Sequence, residues 1–291
     1  MALREDRSAG SSVAAQQQRS SRILGGGGGG RSLLIASVST LVVFGALVLV
    51  VVNSPGWDEV QEAFFYWPEF KESFPDILEK FWTNVKLFLT AEVFILVWGL
   101  VLAVLRSLPG PVFFPLRFLS AAYTDVFRGI PTILLIFLLG FGVPALQISG
   151  VPRSQFFWAA VSLVLVYSAY VAEVYRAGID SVHPSQEAAA RSLGLSRFSA
   201  LRHVVLPQAV RRVVPPLLND FIGLQKDTAL VALLGVVEAF RQSQIDVAGN
   251  FNYTPYICTA ILFLALTIPM TRFTDWLIAR DRKKQLAGGL R

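Results

Sequence analysis

Long uncharged apolar runs limit what this chain can fold into more than any other feature. A helix that crosses the hydrocarbon core of a membrane needs about 20 mostly apolar residues. One run, 213–237, is opened by Pro215 and Pro216 and interrupted by Lys226 and Asp227, as in a broken helix that lines a polar cavity. The sequence therefore predicts an all-α, polytopic membrane protein with six transmembrane helices. The other five runs are residues 32–52, 87–105 (which contains Glu92), 129–152, 156–172 and 247–271.

Composition argues against several other classes of protein. Hydrophobic residues make up 54% of the chain and charged residues only 16%, against about 25% charged in soluble domains. The single Cys258, with His183 and His203, gives no basis for a disulfide scaffold or a zinc site. No Walker-type phosphate loop is present. We therefore expect no metal or cofactor in this chain, and these counts disfavour the alternative of a membrane-embedded enzyme.

The charges between the apolar runs predict the orientation of the chain. Five arginines lie in a glycine-rich leader, residues 1–31, which we expect to be disordered and cytoplasmic. Residues 53–80 carry seven acids against two lysines, which favours an extracytoplasmic acidic and aromatic loop. Residues 176–212 contain six arginines, and the tail at 280–291 is also basic. Because basic loops stay inside, both termini are predicted to be cytoplasmic, and the net charge of +6 does not indicate a nucleic-acid partner.

A long basic loop, residues 181–216, interrupts the apolar pattern. Its apolar residues recur at helical spacing with arginines between them, so we expect short amphipathic helices. Pro184 and Gly194 punctuate the loop, and Pro207 is predicted to end or bend the second helical piece because it cannot donate the helix hydrogen bond. From these residues alone, the loop is either a helix lying on anionic lipid or an element that docks a protein partner.

Residues 185–209 of the basic loop read S-Q-E-A-A-A-R-S-L-G-L-S-R-F-S-A-L-R-H-V-V-L-P-Q-A. This string resembles the cytoplasmic loop of bacterial ABC importer permeases, in which E-A-A is followed by three residues, Gly, nine residues, an aliphatic residue, any residue and Leu-Pro. Gly194, Val204, Leu206 and Pro207 fall at those offsets. The strings R-G-I-P-T from Arg128, A-Y-V-A-E-V-Y-R-A-G-I from Ala169 and L-Q-K-D-T-A-L from Leu224 resemble the polar amino-acid branch of that family.

The resemblance implies a five-helix ABC type I permease core, residues 81–279, preceded by an extra helix at 32–52. It also implies a bacterial inner-membrane subunit that pairs with a second permease, either the same or a homologous chain. ATPase subunits would hold ATP and Mg, an extracytoplasmic binding protein would deliver an amino acid, and lipid would surround the spans. A membrane assembly or signalling protein that uses the loop only for docking is the alternative.

The same resemblance assigns ATPase coupling to the basic loop, with one departure. Ala188 occupies the position at which the family has glutamate, and Glu187 precedes it. A shift of one residue rotates a helical side chain by about 100°, so either the loop start is reshaped or a partner permease carries the usual glutamate. The predicted coupling residues are Glu187, Ala188, Ala189, Gly194, Phe198, Leu206 and Pro207.

Polar residues inside membrane spans are costly and therefore become candidates for the transport path. Arg128 either holds a substrate carboxylate or anchors its span at the interface. Glu173 either forms an ion pair with Arg176 or contacts a substrate ammonium group. The substrate is expected to be a polar amino acid, with glutamate or glutamine as a guess. The full set of pathway candidates is Arg128, Thr132, Glu173, Lys226, Asp227, Thr228 and Glu92.

Overall fold

The computed structural model describes residues 29–288, and the described part contains helices and turns without strands. The chain divides into two units, residues 1–61 and 62–291. The elements in chain order are α1 (Gly29–Val52), α2 (Trp57–Phe64), α3 (Trp67–Ser107), α4 (Phe114–Gly129), α5 (Thr132–Phe137), a π turn (Leu138–Gly142), α6 (Val143–Ala145), α7 (Gln155–Asp180), α8 (Pro184–Ser192), α9 (Arg197–Ala200), a second π turn (Leu201–Val205), α10 (Leu206–Asp227), a 3₁₀ helix (Thr228–Leu234), α11 (Ala239–Asn250) and α12 (Thr254–Gly288).

Helices α3 and α7 form the core of the second unit. Leu87 and Ile95 of α3 and Leu163 of α7 are fully buried in one cluster. A Cβ atom added to Gly99 would lie 2.7 Å from Val171 Cγ1, so the glycine allows the two helices to cross at close range. Helix α3 has 41 residues and is therefore about 60 Å long, twice the thickness of the hydrocarbon core.

Four helices in the described part are long and apolar enough to cross a membrane, and a bent pair raises the number to five. They include α1, α7 and the apolar part of α3, which confirms helices at 32–52, 87–105 and 156–172. The run at 213–237 does not meet the same test, so the count of six spans is not confirmed. The all-α membrane fold is confirmed. The predicted leader, residues 1–31, lies almost wholly outside the described residues.

Three predicted boundaries were wrong. The run at 129–152 is helical only over residues 132–145, through α5, the first π turn and α6, and a bend of 101° at Pro131 separates this segment from α4. The run at 247–271 is divided between two helices. Phe251 takes a left-handed conformation with φ 58° and ends α11, and the membrane-length helix α12 begins only at Thr254. Pro215 and Pro216 lie inside α10 and do not open it. Residues 53–80, expected as a loop, contain α2 and the start of α3.

The basic loop contains the predicted short helices, α8 and α9. Gly194 joins them with φ 89°, a left-handed conformation that glycine adopts without steric cost. Of the two predicted effects of Pro207, ending or bending the second helical piece, the first does not occur, because the helical backbone continues from α9 through the second π turn into α10. Pro207 lies in the first turn of α10, where its missing N–H is tolerated, and the chain enters that turn through the π turn at Leu201–Val205.

Candidate coupling surface and transport cavity

Both ends of the basic loop are fixed to the helices that they join. Val182, two residues after α7, is buried against Val205 of the second π turn and Ala209 in the first turns of α10. The Arg212 guanidinium donates a hydrogen bond to the Ser181 carbonyl oxygen. A Cβ atom added to Gly178 would collide with Val213. The loop therefore sits on a closely packed crossing of α7 and α10, and a displacement of the loop acts on both helices.

The outer surface of the basic loop is apolar and lacks a partner within the described part of the chain. Leu193 is 85% exposed, Phe198 68% and Leu206 49%. Exposed arginines, among them Arg197, lie beside them. The short helices are individually capped: His183 Nδ1 accepts from the Ser185 N–H at 3.2 Å, and Ser196 Oγ from the Ser199 N–H at 3.2 Å. Such a rigid apolar surface with a charged rim can bind another protein.

Glu187 and the two alanines after it differ in what they contact. Glu187 is half-buried and lies 3.8 Å from the Arg197 Nε atom. Ala188 and Ala189 are exposed. The glutamate therefore leans toward the next helix of its own loop, while the position at which the resemblance expects glutamate presents a methyl group.

A cavity of about 390 Å³ lies between α4, α7 and α10 and carries charges of both signs. It brings together Arg128 and Glu173, two of the predicted pathway residues. Arg212 and Asp220 also line it, and the Arg128 guanidinium lies 5.6 Å from the centre of the Tyr170 ring. A cavity of this size with separate cationic and anionic groups can accept a small zwitterion.

The Glu173 carboxylate forms ion pairs with two arginines of the same chain. The Arg176 Nη2 atom lies 2.8 Å from Glu173 Oε2, which confirms the predicted pairing. Arg106, at the end of α3, donates to the other oxygen, Oε1. Arg176 also bonds to Asp180 at 2.9 Å. The ion pairs therefore join α3 to α7 beside the cavity. Both oxygens of Glu173 already accept hydrogen bonds from arginines, so its burial beside the cavity is explained without a substrate contact.

Asp220 is a cavity residue that was not among the predicted pathway candidates. Asp220 lines the cavity, and its Oδ2 atom is buried without a hydrogen bond in the described part of the chain. It lies within electrostatic range of the half-buried Glu92 on α3. A signal was present, because an acid inside the apolar run at 213–237 is as costly as Lys226 or Asp227.

The three residues at the end of α10 face different surroundings. The Tyr167 hydroxyl donates to Asp227 Oδ2 at 2.9 Å. Lys226 is exposed and borders a second cavity of about 490 Å³ with Phe240 and Tyr256. Thr228 is fully buried. They mark the point at which α10 becomes a 3₁₀ helix, but they do not share the cavity of Arg128, and neither Thr132 nor Glu92 lines that cavity.

Residues 95–283 match the family described as binding-protein-dependent transport system inner membrane component. The chain belongs to this family. The probable amino-acid permease protein YxeN of Bacillus subtilis (strain 168) is 36% identical over 203 residues, which cover 69% of this chain and 89% of that protein. The probable glutamine ABC transporter permease protein GlnM of the same organism is 35% identical over 188 residues, covering 64% of this chain and 84% of its own.

A solved structure supports the fold of this inner-membrane component. The crystal structure of an amino acid ABC transporter with histidines aligns with a TM-score of 0.65 at 28% identity, covering 75% of this chain and 98% of its own. The family match contains the basic loop and the charged cavity. It begins inside α3, so α1 and α2 lie outside it.

Proposed function

We propose that this protein is a permease subunit of an ATP-driven amino acid importer. The observation that carries the proposal is the basic loop, whose exposed Leu193, Phe198 and Leu206 are attached to the α7–α10 crossing. Those two helices line the charged cavity. Family membership and the amino-acid permeases among its relatives support the same conclusion.

The proposed mechanism requires no catalytic residue in this chain, because ATP is hydrolysed by separate subunits. ATPase subunits bind ATP and Mg and dock on the basic loop. When they close around ATP, the loop moves α7 and α10 as rigid bodies and changes access to the cavity. A second permease, the same chain or a homologue, completes the pathway, and an extracytoplasmic binding protein delivers the substrate.

The basic loop and the C-terminal tail face the cytoplasm in this proposal, and residues 53–80 face the outside of the inner membrane. The basis is the distribution of arginine and lysine, which retains basic segments inside. With the loop inside, the ATPase subunits have direct access to Phe198 and Leu206.

The cavity suggests how an amino acid is held. Arg128 makes no ion pair in the described residues and stacks on Tyr170, so its guanidinium is available to a substrate carboxylate. Asp220 lines the same cavity from α10, and its carboxylate can accept a hydrogen bond from a substrate ammonium group. Because Glu173 is paired with Arg106 and Arg176, we assign the contact with the substrate ammonium group to Asp220 and not to Glu173. Every amino acid carries both groups, so the cavity does not distinguish among side chains.

Reconstitution in proteoliposomes tests the proposal. The complete complex, with its ATPase and binding protein, should take up an amino acid, and that amino acid should stimulate ATP hydrolysis. Leu206→Asp should leave the protein inserted but abolish stimulation, because an unpaired charge in an apolar contact costs several kcal/mol. Binding of the ATPase without stimulation by any amino acid would instead favour the assembly or signalling alternative.

A further inference from the structure

Three polar side chains from distant parts of the sequence are buried together where α10 becomes the 3₁₀ helix. Asn84 of α3 is 2% exposed, and Thr228 and Glu238 are fully buried. The Asn84 Nδ2 atom donates to Glu238 Oε2 at 2.7 Å and to Thr228 Oγ1 at 3.2 Å. One amide therefore holds both the first residue of the 3₁₀ helix and the residue that precedes α11.

Glu238 also caps the start of α11. Its carboxylate accepts from the Arg241 N–H at 2.8 Å and from the Phe240 N–H at 3.0 Å. Asn84 Oδ1 accepts from the Ala239 N–H at 3.2 Å. Three of the N–H groups at this helix start are thus satisfied by two side chains, and these groups otherwise would remain without partners.

An apolar core would be a cheaper way to pack these helices. A buried carboxylate is costly unless it is fully hydrogen-bonded, and losing its partner costs more than the pair contributes. Phe81, Phe88, Leu266 and the buried amide of Gln225 surround a void beside Asn84 and Thr228 that is too small for water. What the polar contacts provide is a fixed position of Thr228 relative to α3 and α11.

We propose that Asn84 and Glu238 are positioning residues for transport, which hold the end of α10 in its transport-competent conformation. Thr228 directly follows Lys226 and Asp227 in the chain. Its position therefore determines in which direction those two side chains point. The inference rests on the proposed function. It assigns no substrate contact to Asn84 or Glu238, because both are enclosed.

The test exchanges donor and acceptor between the two side chains. Asn84→Asp places two carboxylates together, and Glu238→Gln places two amides together. In the double variant, the amide introduced at position 238 can donate to the carboxylate introduced at position 84, which also accepts from the Ala239 N–H and can accept from the Thr228 hydroxyl. The Phe240 N–H then loses its acceptor. Each single variant, measured in the reconstituted complex, should lose uptake and substrate-stimulated ATP hydrolysis by about tenfold or more per folded protein. The double variant should recover part of both, because it restores the contact between positions 84 and 238 but not the whole cap of α11.

Basal ATP hydrolysis separates positioning from simple stability. It should stay within about twofold of wild type in all three variants, because the basic loop is untouched. Ser243→Ala is the matched control. Ser243 is fully buried on α11 and bonds to Thr259 and to the Ala239 and Pro255 carbonyl oxygens, and it makes no hydrogen bond to Asn84, Thr228 or Glu238 within the described residues. Its loss should lower the Tm while uptake per folded protein stays normal.

Two results would overturn the inference. Normal uptake per folded protein in both single variants shows that the contact does not position the transport path. If uptake falls only in proportion to the Tm, and the double variant recovers neither, the contact serves stability and not positioning. Failure of the wild-type complex to transport any amino acid removes the proposed function itself, and this inference falls with it.

Discussion

Truncation of Phe198 gives a direct measure of docking by the basic loop. A buried phenylalanine removes about 200 Å² from water, and Phe198 is 68% exposed, so about 140 Å² remains to be buried by a partner. At about 25 cal/mol per Å², this area is equivalent to about 3.5 kcal/mol. Alanine keeps part of that area, which leaves a loss of about 2 kcal/mol and a weakening of about 30-fold.

The assay is the affinity of the detergent-solubilised permease for its purified ATPase. We expect Phe198→Ala to raise the Kd by about 30-fold without changing the Tm of the permease, because the side chain packs little within its own chain. Phe251→Ala is the matched control: Phe251 is 78% exposed but lies in the turn between α11 and α12. The control should bind the ATPase as wild type does.

An unchanged ATPase affinity in Phe198→Ala would refute docking through this side chain. The same variant also separates protein docking from the lipid interpretation of the basic loop. If the loop lies on anionic lipid, Phe198→Ala will weaken binding to anionic vesicles and leave the ATPase affinity unchanged.

Three further predictions use other parts of the molecule. Single cysteines at Arg22 and Lys283 should resist an impermeant reagent from outside, while one at Glu62 should react; external labelling at position 283 contradicts the proposed orientation. Glu187→Ala should leave uptake nearly unchanged, because an exposed ion pair contributes about 0 to 1 kcal/mol; a tenfold loss at normal abundance means that Glu187 contacts the ATPase. Asp246→Asn should raise the Tm at neutral pH, because burial and three neighbouring acids raise the pKa of Asp246. This gain should shrink as the pH falls and the wild-type carboxyl is protonated, and a gain that does not change with pH has another cause.

The sequence predicted those features that depend on neighbouring residues. An uncharged run such as 156–172 has to be helical in a membrane because its backbone polar groups need partners within the segment, and α7 contains it. Helical spacing in the basic loop and a glycine at position 194 likewise predicted α8, α9 and the turn between them. Each of these predictions depends on residues within a few helical turns of one another, and each was confirmed.

The features that were missed depend on contacts between distant residues. The sequence offered Arg176 as the partner of Glu173, but Arg106 lies 67 positions away and bonds to the same carboxylate. Glu238 follows an apolar run and looks like a residue of an exposed loop. It is buried because Asn84, 154 positions earlier, satisfies it. No pattern within a window of a few turns contains such a pair, so helix assignment alone does not locate these contacts.

The packing of α7 against α10 connects the basic loop to the cavity, which Ser181 and Arg212 at the two ends of the loop also line. At Gly178 there is no space for even a Cβ atom beside Val213, and Arg212 is bonded to the Ser181 carbonyl. The two helices therefore cannot slide independently near the loop. Arg128 and Glu173 line the cavity from α4 and α7, and Asp220 lines it from α10, about two helical turns beyond Val213. A rotation imposed on the loop is thus carried by close packing, without any flexible step, to the charged groups on both walls of the cavity.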